Sequence, residues 1–374
     1  MQVVAHKYKV YSQNRNHQKR LEDFLRTAAW IYNHCIALHK RYYKLYHKTL
    51  PQAKLQSHIA KMKKRCYKKW KLVNAQAAQE ICDRIYRGYT KFFANKAKRP
   101  PTFKNWRKYK SVTFKKNGYT LDGNIFTINK LNLRLKFYLS REIKGVVQTV
   151  CLKRDTVGDW WLIFSIRKES KPKQEKPMTG KTAGFDFGLK HFLTSNDGQK
   201  IESPQFLFHS LDELRRRSRK LSKKQKGSNS KRKARVELAR FHRRIGFLRS
   251  DFHWKLANRL VSEYDTICLE TLNTKAMQQM WGRKISDLAF SEFVKVLSVM
   301  SAKYGKTLVK INQWEATSKT CSHCFHKEKE MPLDVRKWTC PECGTVHDRD
   351  INAARNILRV GTSTLGRGSV RPTP

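Results

Sequence analysis

The segment TCPECGTVHDRDINAARNI, residues 339–357, places two kinds of metal ligand beside one predicted helix. Cys340 and Cys343 form a CxxC pair, and Asp348 and Asp350 come directly before the helical run NAARNIL. Thiolates are zinc ligands, whereas carboxylates are the ligands of hard ions such as Mg²⁺. The segment therefore indicates two metal sites of different chemistry that meet at the start of this helix.

A second CxxC pair precedes this segment and completes a zinc-binding pattern. Cys321 and Cys324 are separated by 15 residues from Cys340 and Cys343, and Gly344 supplies the turn freedom that the second pair needs. Two such turns can place four thiolates around one tetrahedral ion, so we expect one structural Zn²⁺. Disulfide pairing is the alternative. Three nearby histidines are further candidate ligands: His323, His326 and His347.

Three carboxylates lie in or beside segments that we expect to be buried, in a chain where acids are scarce. Asp186 lies within the predicted strand of TAGFDFG, Glu270 ends the predicted strand TICLE, and Asp350 lies in the first turn of the last helix. Each has a structural alternative: helix capping for Asp350 and its neighbour Asp348, and an arginine pair or a sheet edge for the others. Converging carboxylates need cations, and two Mg²⁺ ions can hold the attacking and leaving oxygens of a phosphodiester. We therefore predict a magnesium-dependent hydrolytic site formed by these three acids.

The charge of the chain indicates a polyanionic partner. Its 374 residues include 80 Lys and Arg against 29 Asp and Glu, a formal net charge of +51. The basic residues occur along the whole length with 19 Phe, 14 Tyr and 9 Trp, a combination suited to phosphate neutralisation and base stacking. The chain shows neither an apolar run of membrane-spanning length nor a signal-peptide pattern. We therefore expect a cytoplasmic, nucleic-acid-binding protein with no membrane partner.

The first half of the chain combines strand and helix patterns. Residues 2–10 alternate as a strand, residues 13–98 have helical spacing, and a β-rich stretch follows at about 101–168. Asn117-Gly118 and Asp122-Gly123 in this stretch are dipeptides typical of hairpins. This order predicts a small β-barrel that includes the N-terminal strand and carries the helices as an insertion.

The second half has the mixed pattern of an α/β domain. Strand patterns occur in TAGFDFGLKHFLTSNDG, EYDTICLE and KTLVKI, and residues 286–304 have helical spacing. Residues 211–250 hold 16 Lys or Arg against 3 acids, with helical spacing interrupted at KGSNSKRK. The polar segment KESKPKQEKPMTGK reads as a linker between the halves, and the Gly-, Ser- and Thr-rich residues 361–374 predict a disordered tail.

Five segments together resemble the transposon-encoded TnpB nucleases, which are related to type V CRISPR effectors. In order, they are AGFDFGLKHFLTSNDG, ICLETLNTKAM, SKTCSHC, TCPECGTVHDRDINAARNI and GTSTLGRGSVRP. The likeness is dense from about residue 181 to 374 and weaker at AWIYNH and PPTFKNWRKYKSVTF. The acids of the three RuvC motifs of this family match Asp186, Glu270 and Asp350, and Asp348 is the weaker candidate ligand.

The resemblance implies a multidomain α+β and α/β protein. Its parts would be a β-barrel wedge domain with an inserted helical recognition domain, then an RNase H-like RuvC nuclease domain with a zinc-ribbon insertion. The predicted boundaries are the first wedge strand (1–12), the recognition domain (13–100), the rest of the wedge barrel (101–170), a linker (171–181), the first part of the RuvC domain (182–317), the zinc ribbon (318–346), the last RuvC helix (347–360) and the disordered tail (361–374).

The resemblance also implies an RNA-guided DNA endonuclease. One protein is expected to bind one guide RNA from the right end of the transposon. It would recognise a short target-adjacent motif in duplex DNA and cut both strands at one RuvC site. The basic residues 211–250 are then expected to follow an RNA–DNA heteroduplex, with a solvated helix as the alternative. Four residues are candidate nucleic-acid contacts, with ordinary surface positions as the alternative: Gln76, Gln79, Lys115 and Lys116.

Three other classes of protein could also have a high positive charge and a zinc-binding cysteine pattern. A regulator that binds RNA, or is guided by it, without cleavage would tolerate the loss of an acid, but no acid is missing here. A transposase would join DNA strands itself and would not need RNA. A structural ribonucleoprotein component would have no reason to gather carboxylates. The sequence therefore favours the endonuclease.

Overall fold

The computed structural model describes residues 2–65, 68–129, 131, 133–168, 176–332 and 334–366. The chain folds as two compact units, Met1–Lys171 and Pro172–Pro374, each with its own hydrophobic core. Part of the predicted linker, residues 171–175, and the end of the predicted tail, residues 367–374, lie outside the described residues. None of the described helices has an apolar stretch long enough to cross a lipid bilayer.

Two antiparallel sheets form the β-structure of the first unit. Its strands are β1 (Gln2–Lys9), β2 (Ser111–Lys115), β3 (Tyr119–Asp122), β4 (Ile125–Ile128), β5 (Leu133–Lys136), β6 (Val146–Arg154) and β7 (Trp160–Lys168). One sheet has the order β1-β7-β6-β2 and the other the order β3-β4-β5. The N-terminal strand therefore joins the β-rich stretch across the intervening helices, as predicted. Tyr11 N also donates to Lys136 O at 2.9 Å, which links the end of β1 to the smaller sheet. Closure of the two sheets into a barrel stays a prediction.

The helices between β1 and β2 pack against this β-structure. They are α1 (Arg15–Tyr46), α2 (Gln52–Arg65), a short 3₁₀ helix (Lys68–Leu72) and α3 (Ala75–Phe93). Asn14 and Asn74 cap α1 and α3, because their side chains accept hydrogen bonds from backbone N–H groups of the first turn. Buried apolar residues of α1 face β2, where the rings of Phe24 and Phe114 stack with centroids 5.8 Å apart.

One of the two predicted hairpins is wrong. Asp122-Gly123 connects β3 and β4 as an antiparallel pair, with Gly123 at a φ of 52°. Asn117-Gly118 also forms a turn, but β2 and β3 on either side pair with strands of different sheets. The N-terminus of α3 holds this turn, because Nδ2 of Asn74 donates to Gly118 O at 2.7 Å. Tertiary contact with the helix therefore overrides the local hairpin preference.

A five-stranded sheet forms the centre of the second unit, in the order β10-β9-β8-β11-β12. Its strands are β8 (Thr182–Phe187), β9 (His191–Ser195), β10 (Lys200–Glu202), β11 (Thr266–Glu270) and β12 (Thr307–Ile311), and a separate hairpin contains β13 (Lys337–Thr339) and β14 (Val346–Asp348). The strands β8, β9 and β10 are antiparallel neighbours, whereas β11 runs parallel to both β8 and β12. The carboxyl ends of β8, β11 and β12 therefore meet at one edge of the sheet.

Six helices of the described residues complete the second unit. They are α4 (Leu211–Ser222), α5 (Asn229–Glu263), α6 (Thr274–Trp281), α7 (Arg283–Leu288), α8 (Phe290–Tyr304) and α9 (Arg349–Gly366). The predicted interruption of the basic stretch is confirmed, because α5 begins afresh after Ser228. The side chain of Ser228 caps this helix by accepting from Lys231 N at 3.1 Å.

The last helix is longer than predicted. α9 continues through residues 361–366, so the disordered tail is wrong for that part of the chain. Gly361 explains the difference: a Cβ at this position would lie 2.4 Å from the Sγ atom of Cys268 in β11. Val360 and Leu365 on either side pack against an apolar cluster that contains Ile357. Gly361 thus permits close packing of α9 on the sheet. The composition of residues 361–374 alone had indicated disorder.

Candidate active site and zinc centre

Asp186 and Glu270 lie side by side at the carboxyl edge of the sheet. In the parallel pairing of β8 with β11, Phe185 lies opposite Leu269, so the following residue of each strand carries a carboxylate. Both acids follow buried apolar residues and are half-buried themselves. The sheet register therefore brings together two acids that are 84 positions apart in the sequence.

Helix α9 supplies the third acid, Asp350, in its first turn. The capping role considered for both aspartates belongs to Asp348, whose Oδ1 accepts from the N–H groups of Asp350 and Ile351 at 3.0 and 3.2 Å. Asp348 is also paired with Lys200, with Nζ 2.8 Å from its Oδ2. Nη1 of Arg336 lies 3.7 Å from Oδ1 of Asp350. The two neighbouring aspartates thus have different roles, and only Asp348 is engaged as a cap.

The three carboxylates lie close enough to affect each other's ionisation. Burial raises the pKa of Asp186 well above its usual range, and repulsion from Glu270 and Asp350 raises it further. Burial also raises the pKa of Glu270 to about 7. The positive charge of Arg349 acts in the opposite direction on the pKa of Asp186 without overcoming these effects. Such a cluster favours either protons or divalent cations, so its donor set fits Mg²⁺.

In the described part of the chain, the group of His, Cys, Asp or Glu ligand atoms gathered closely enough for one ion is that of the four cysteines, whose sulfur atoms lie within 4.8 Å of one another. The three carboxylates are not gathered around one point in this way.

Neutralising Glu270 is expected to stabilise the metal-free protein at high pH. A carboxyl whose pKa is about 7 when folded and about 4.4 when unfolded costs stability increasingly as the pH rises from about 4.4, because only the unfolded state then releases its proton, and the cost is complete above pH 7. Glu270→Gln removes this cost, so its free energy of unfolding should exceed that of the parent by at most about 3.5 kcal/mol at pH 8. The difference should disappear as the pH falls toward about 4.4.

Urea unfolding in magnesium-free buffer at pH 5 and pH 8 measures this difference. The exposed Glu292 provides the control, because Glu292→Gln should leave the free energy of unfolding nearly unchanged at both values. An equal or lower stability of Glu270→Gln at pH 8 would contradict the electrostatic account of the site.

The four cysteines form a compact cluster without disulfides. The Sγ atoms of Cys321 and Cys343 are 3.7 Å apart, and those of Cys324 and Cys340 are 3.5 Å apart. All four are free thiols, so the disulfide alternative does not apply. Four sulfur atoms at about 2.3 Å from a tetrahedral zinc lie about 3.8 Å from one another. The cluster therefore fits one Zn²⁺ in a closed, structural site.

Each CxxC pair ends in a turn of the same geometry. Gly344 has a φ of 68° and Phe325 has a φ of 67° at the equivalent position. The N–H groups of Cys321 and Cys340 donate to His326 O and Thr345 O at 2.8 and 3.0 Å. The prediction that Gly344 supplies turn freedom is confirmed, whereas the first turn uses a phenylalanine in the same left-handed conformation.

The three histidines differ in their relation to the cluster. His347 is buried, with Nε2 3.0 Å from the Sγ of Cys321 and its ring centroid 4.8 Å from that of Trp338. His323 is exposed, and His326 lies 3.8 Å from Glu328. Because four thiols already complete a tetrahedral set, His347 acts as a hydrogen-bond partner of a ligand rather than as a ligand.

The candidate nucleic-acid contacts lie around the N-terminal end of α3 in the first unit. A Cβ at Gly118 would lie 3.1 Å from the Cβ of Gln76, so this glutamine lies against the turn that follows Lys115 and Lys116. Lys116 is exposed, whereas Lys115 is paired with Asp83, with Nζ 2.5 Å from Oδ2. The structure thus brings Gln76 and the turn lysines to one surface.

Gln79 lines a cavity of about 650 Å³ between α2 and α3 in the same unit. Its other polar wall residues include Gln56, Lys63, Lys64 and Lys71. Its apolar lining residues are Ile59, Ala60, Ala75, Ala78 and Cys82. The sequence did not reveal these lysines as a group, because they are distributed over two helices and the segment between them.

Trp314 is a further candidate that the sequence reasoning missed. Its side chain is 81% exposed, and it follows β12 by three residues. The last residue of β12, Ile311, pairs with Glu270, so this tryptophan lies beyond the same edge of the sheet as the carboxylates. A tryptophan in a polar loop directly after a strand was the signal in the sequence.

Two family models and several known proteins match this chain. The family model OrfB_IS605, described as "Probable transposase", matches residues 165–280, and the Cas12f1-like TNB domain model matches residues 290–357. A protein of Streptomyces pristinaespiralis named "Putative RNA-guided DNA endonuclease" is 33% identical over 305 residues, covering 80% of this chain and 75% of its own. The Escherichia coli K12 protein "Putative RNA-guided DNA endonuclease InsQ" is 26% identical over 371 residues, covering 94% and 90%.

A solved structure has a similar fold. The protein in the cryo-EM structure of the Cas12f1–sgRNA–target DNA complex matches with a TM-score of 0.57 and 18% identity, over 92% of this chain and 83% of that chain. This likeness concerns the fold alone. Together with the identity to the Streptomyces protein and the two family models, the comparisons show that the chain belongs to the TnpB family, whose relatives are named RNA-guided DNA endonucleases.

Proposed function

We propose that this protein is an RNA-guided, magnesium-dependent DNA endonuclease whose catalytic residues are Asp186, Glu270 and Asp350. The observation that carries the proposal is their convergence at one edge of the second unit, where burial and mutual repulsion raise the pKa of Asp186. The names of the relatives support nuclease activity as the general kind of function. We assign the active site of that activity to the three acids.

The chemistry of the proposed site is phosphodiester hydrolysis. Two bound Mg²⁺ ions would supply an activated water and stabilise charge on the leaving oxygen. The carboxylates hold the ions, and Arg349 and Arg336 add positive charge close to Asp186 and Asp350. Trp314 offers an exposed ring on which a base of the substrate strand can stack beyond the same edge.

The proposed partners are a guide RNA and a target DNA duplex. We assign the guide to the right end of the transposon, expect one protein per RNA, and expect one site to cut both strands. The Cas12f1 protein of similar fold was solved in complex with an sgRNA and target DNA. In this chain, the second unit would serve as the RNase H-like RuvC domain with the zinc ribbon, and the first as wedge and recognition domain. We place the protein in the cytoplasm, on the nucleoid when it is bound to DNA.

The surface around the start of α3 is the proposed reader of the target-adjacent motif. The amides of Gln76 and Gln79 have the donor and acceptor pair that reads base edges. Lys116 is exposed at the turn beside Gln76 and can contact a phosphate, whereas Lys115 would have to leave its ion pair with Asp83 to do so. This surface combines the two kinds of contact that sequence-specific DNA recognition needs.

Nucleic-acid affinity is expected to fall steeply with salt, and part of the dependence should come from the connection between α4 and α5. Lys223, Lys224 and Lys226 are exposed there. Each lysine that contacts a phosphate contributes about −0.9 to the slope of log K against log salt concentration. Replacing all three with glutamine should therefore make the slope less steep by up to about 3. Filter binding of a guide–target duplex at salt concentrations from about 50 to about 300 mM, a range that includes physiological ionic strength, measures this slope.

Replacement of the same three lysines with arginine provides the matched control, because it keeps the charge and should keep the slope. A parent slope near zero would contradict the charge argument altogether. An unchanged slope in the glutamine variant would assign the phosphate contacts to other basic residues.

Sequencing of the RNA that co-purifies with the protein tests the proposal directly. We expect one dominant RNA with a constant region and a variable end. The purified complex should then cut a plasmid that carries the matching target in the presence of Mg²⁺. Binding of the target without cutting at any Mg²⁺ concentration would favour a regulator. Joining of transposon ends by the RNA-free protein would favour a transposase.

A further inference from the structure

We propose that Asn352 and Asn356 are positioning residues that couple the zinc centre to the carboxylate site. They would act by fixing helix α9 on the side that faces away from the sheet. We call these two side chains and their bonds to residues 317–322 the asparagine clamp. The inference rests on the proposed nuclease function, since its purpose is to hold Asp350 where Asp186 can share a cation with it.

The contacts of the clamp are hydrogen bonds to the segment that leads into the first CxxC turn. Ser322 N donates to Oδ1 of Asn352 at 2.8 Å, and Nδ2 of Asn352 donates to Thr320 O at 2.8 Å. Nδ2 of Asn356 donates to Thr320 O at 2.6 Å and to Thr317 O at 2.9 Å. Both asparagines are 1% exposed. Buried amides in this arrangement tie α9 to the backbone next to a zinc ligand.

The clamp and the sheet hold opposite sides of the helix. At about 100° per residue, Ala354 and Gly361 lie about 180–200° around α9 from Asn352. A Cβ at Gly184 of β8 would lie 2.4 Å from Ala354 O, which shows how closely this side of α9 packs on the sheet. Asp350 lies about 160° from Asn352, on the sheet side. The helix is therefore fixed between the sheet and the zinc segment, with its acid turned toward the sheet.

The bonds explain why asparagine is needed at both positions. The carbonyl groups of Thr317 and Thr320 belong to a turn, and buried carbonyls there need donors from elsewhere. The side-chain nitrogen Nδ2 of Asn356 donates to both of these carbonyl groups. Its Oδ1 has no hydrogen-bond partner among the described atoms. An aspartate or a leucine at position 356 could not donate these bonds. The side chains thus make a connection that packing alone cannot replace.

Amide hydrogen exchange of residues 349–353 in the full-length, magnesium-free protein tests the coupling. In the parent, removal of zinc by a chelator should accelerate this exchange by about tenfold or more. In Asn352→Ala/Asn356→Ala, exchange should be fast even with zinc bound, and zinc removal should accelerate it little further. Exchange that does not change in the double variant, or in the parent on zinc removal, overturns the proposal.

Two further variants distinguish loss of the clamp from misfolding of the protein. Asn352→Ala alone removes the bonds of Asn352 and keeps those of Asn356 to Thr317 O and Thr320 O, so it should show the same effect in milder form. Thr362→Ala is the matched control on the same helix, because its hydroxyl bonds only within α9. Loss of zinc from Asn352→Ala, whose cysteines are intact, would assign the asparagines to the zinc centre alone and overturn the coupling.

The Mg²⁺ dependence of cleavage separates positioning from a general structural role. For Asn352→Ala we expect the half-saturating Mg²⁺ concentration to rise by about tenfold, with the rate at saturating Mg²⁺ reduced much less. A reduced maximal rate at an unchanged half-saturating concentration overturns the positioning role. Because exchange is measured without guide, target or cleavage, a protein that shows the exchange effect and never cuts DNA would refute the proposed function and not the clamp.

Discussion

Asparagine in place of Asp186 is expected to lower the rate of DNA cleavage by about 10³-fold while guide and target binding remain unchanged. The substitution keeps the size of the side chain and removes the negative charge that, under the proposed function, would hold a cation among the three acids. If the ions contribute about 4 kcal/mol of transition-state stabilisation, their loss corresponds to this factor. Single-turnover cleavage of a matched plasmid, with binding measured separately, gives both quantities.

Asp348→Asn is the matched control for this experiment. Asp348 lies two residues before Asp350 and carries the same charge, but its Oδ1 caps α9 and its Oδ2 is paired with Lys200. Asparagine is also a good cap, so cleavage should stay within a few-fold of the parent. If Asp186→Asn cuts like the parent, or if Asp348→Asn is the more severe change, the assignment of the site is wrong.

Replacement of Cys340 by serine is expected to remove the zinc ion and to unfold the segment from about residue 318 to 348. The described apolar core of this segment has three buried hydrophobic side chains, those of Cys321, Trp338 and Cys340, which are too few to stabilise it. In small zinc modules the ion supplies about 10–16 kcal/mol, so metal binding and folding are one event. Cleavage should fall as well, because Asp350 follows directly after this segment.

Elemental analysis of the purified protein measures the zinc content, with about one ion per chain expected for the parent and almost none for the variant. Cys151→Ser is the control, because Cys151 is a free cysteine of the first unit outside the cluster. A parent protein that folds and cuts without stoichiometric zinc would contradict the role of the metal. Retention of zinc by Cys340→Ser would point to His347 as a substitute ligand, since its Nε2 lies beside Cys321.

Much of the site could be predicted because its chemistry is local. Two CxxC pairs at the right spacing allow few uses other than zinc, and the structure brings their sulfur atoms within 4.8 Å of one another. Asp186 lies within, and Glu270 ends, a segment whose apolar residues had to be buried in a strand. The excess of basic residues indicates a nucleic-acid partner from composition alone.

The errors arose where distant contacts compete with local preference. Asn117-Gly118 has the composition of a hairpin turn, yet the amide of Asn74 at the start of α3 binds it and the flanking strands go to different sheets. Gly361 reads as part of a flexible tail, yet it allows α9 to pass over Cys268. A glycine permits both disorder and close packing, and only the neighbour that it meets decides between them.

The sequence by itself determined the ligand types, their spacing and the elements that carry them, because thiol and carboxylate chemistry and strand and helix periods are properties of short segments. The tertiary structure decided which of two adjacent aspartates caps α9 and which one faces the sheet. It also placed Gln76 against a turn more than 35 residues away and set Asn352 and Asn356 against the zinc segment. These relations depend on distances between segments that are remote in the chain, and those distances are fixed only when the hydrophobic cores pack.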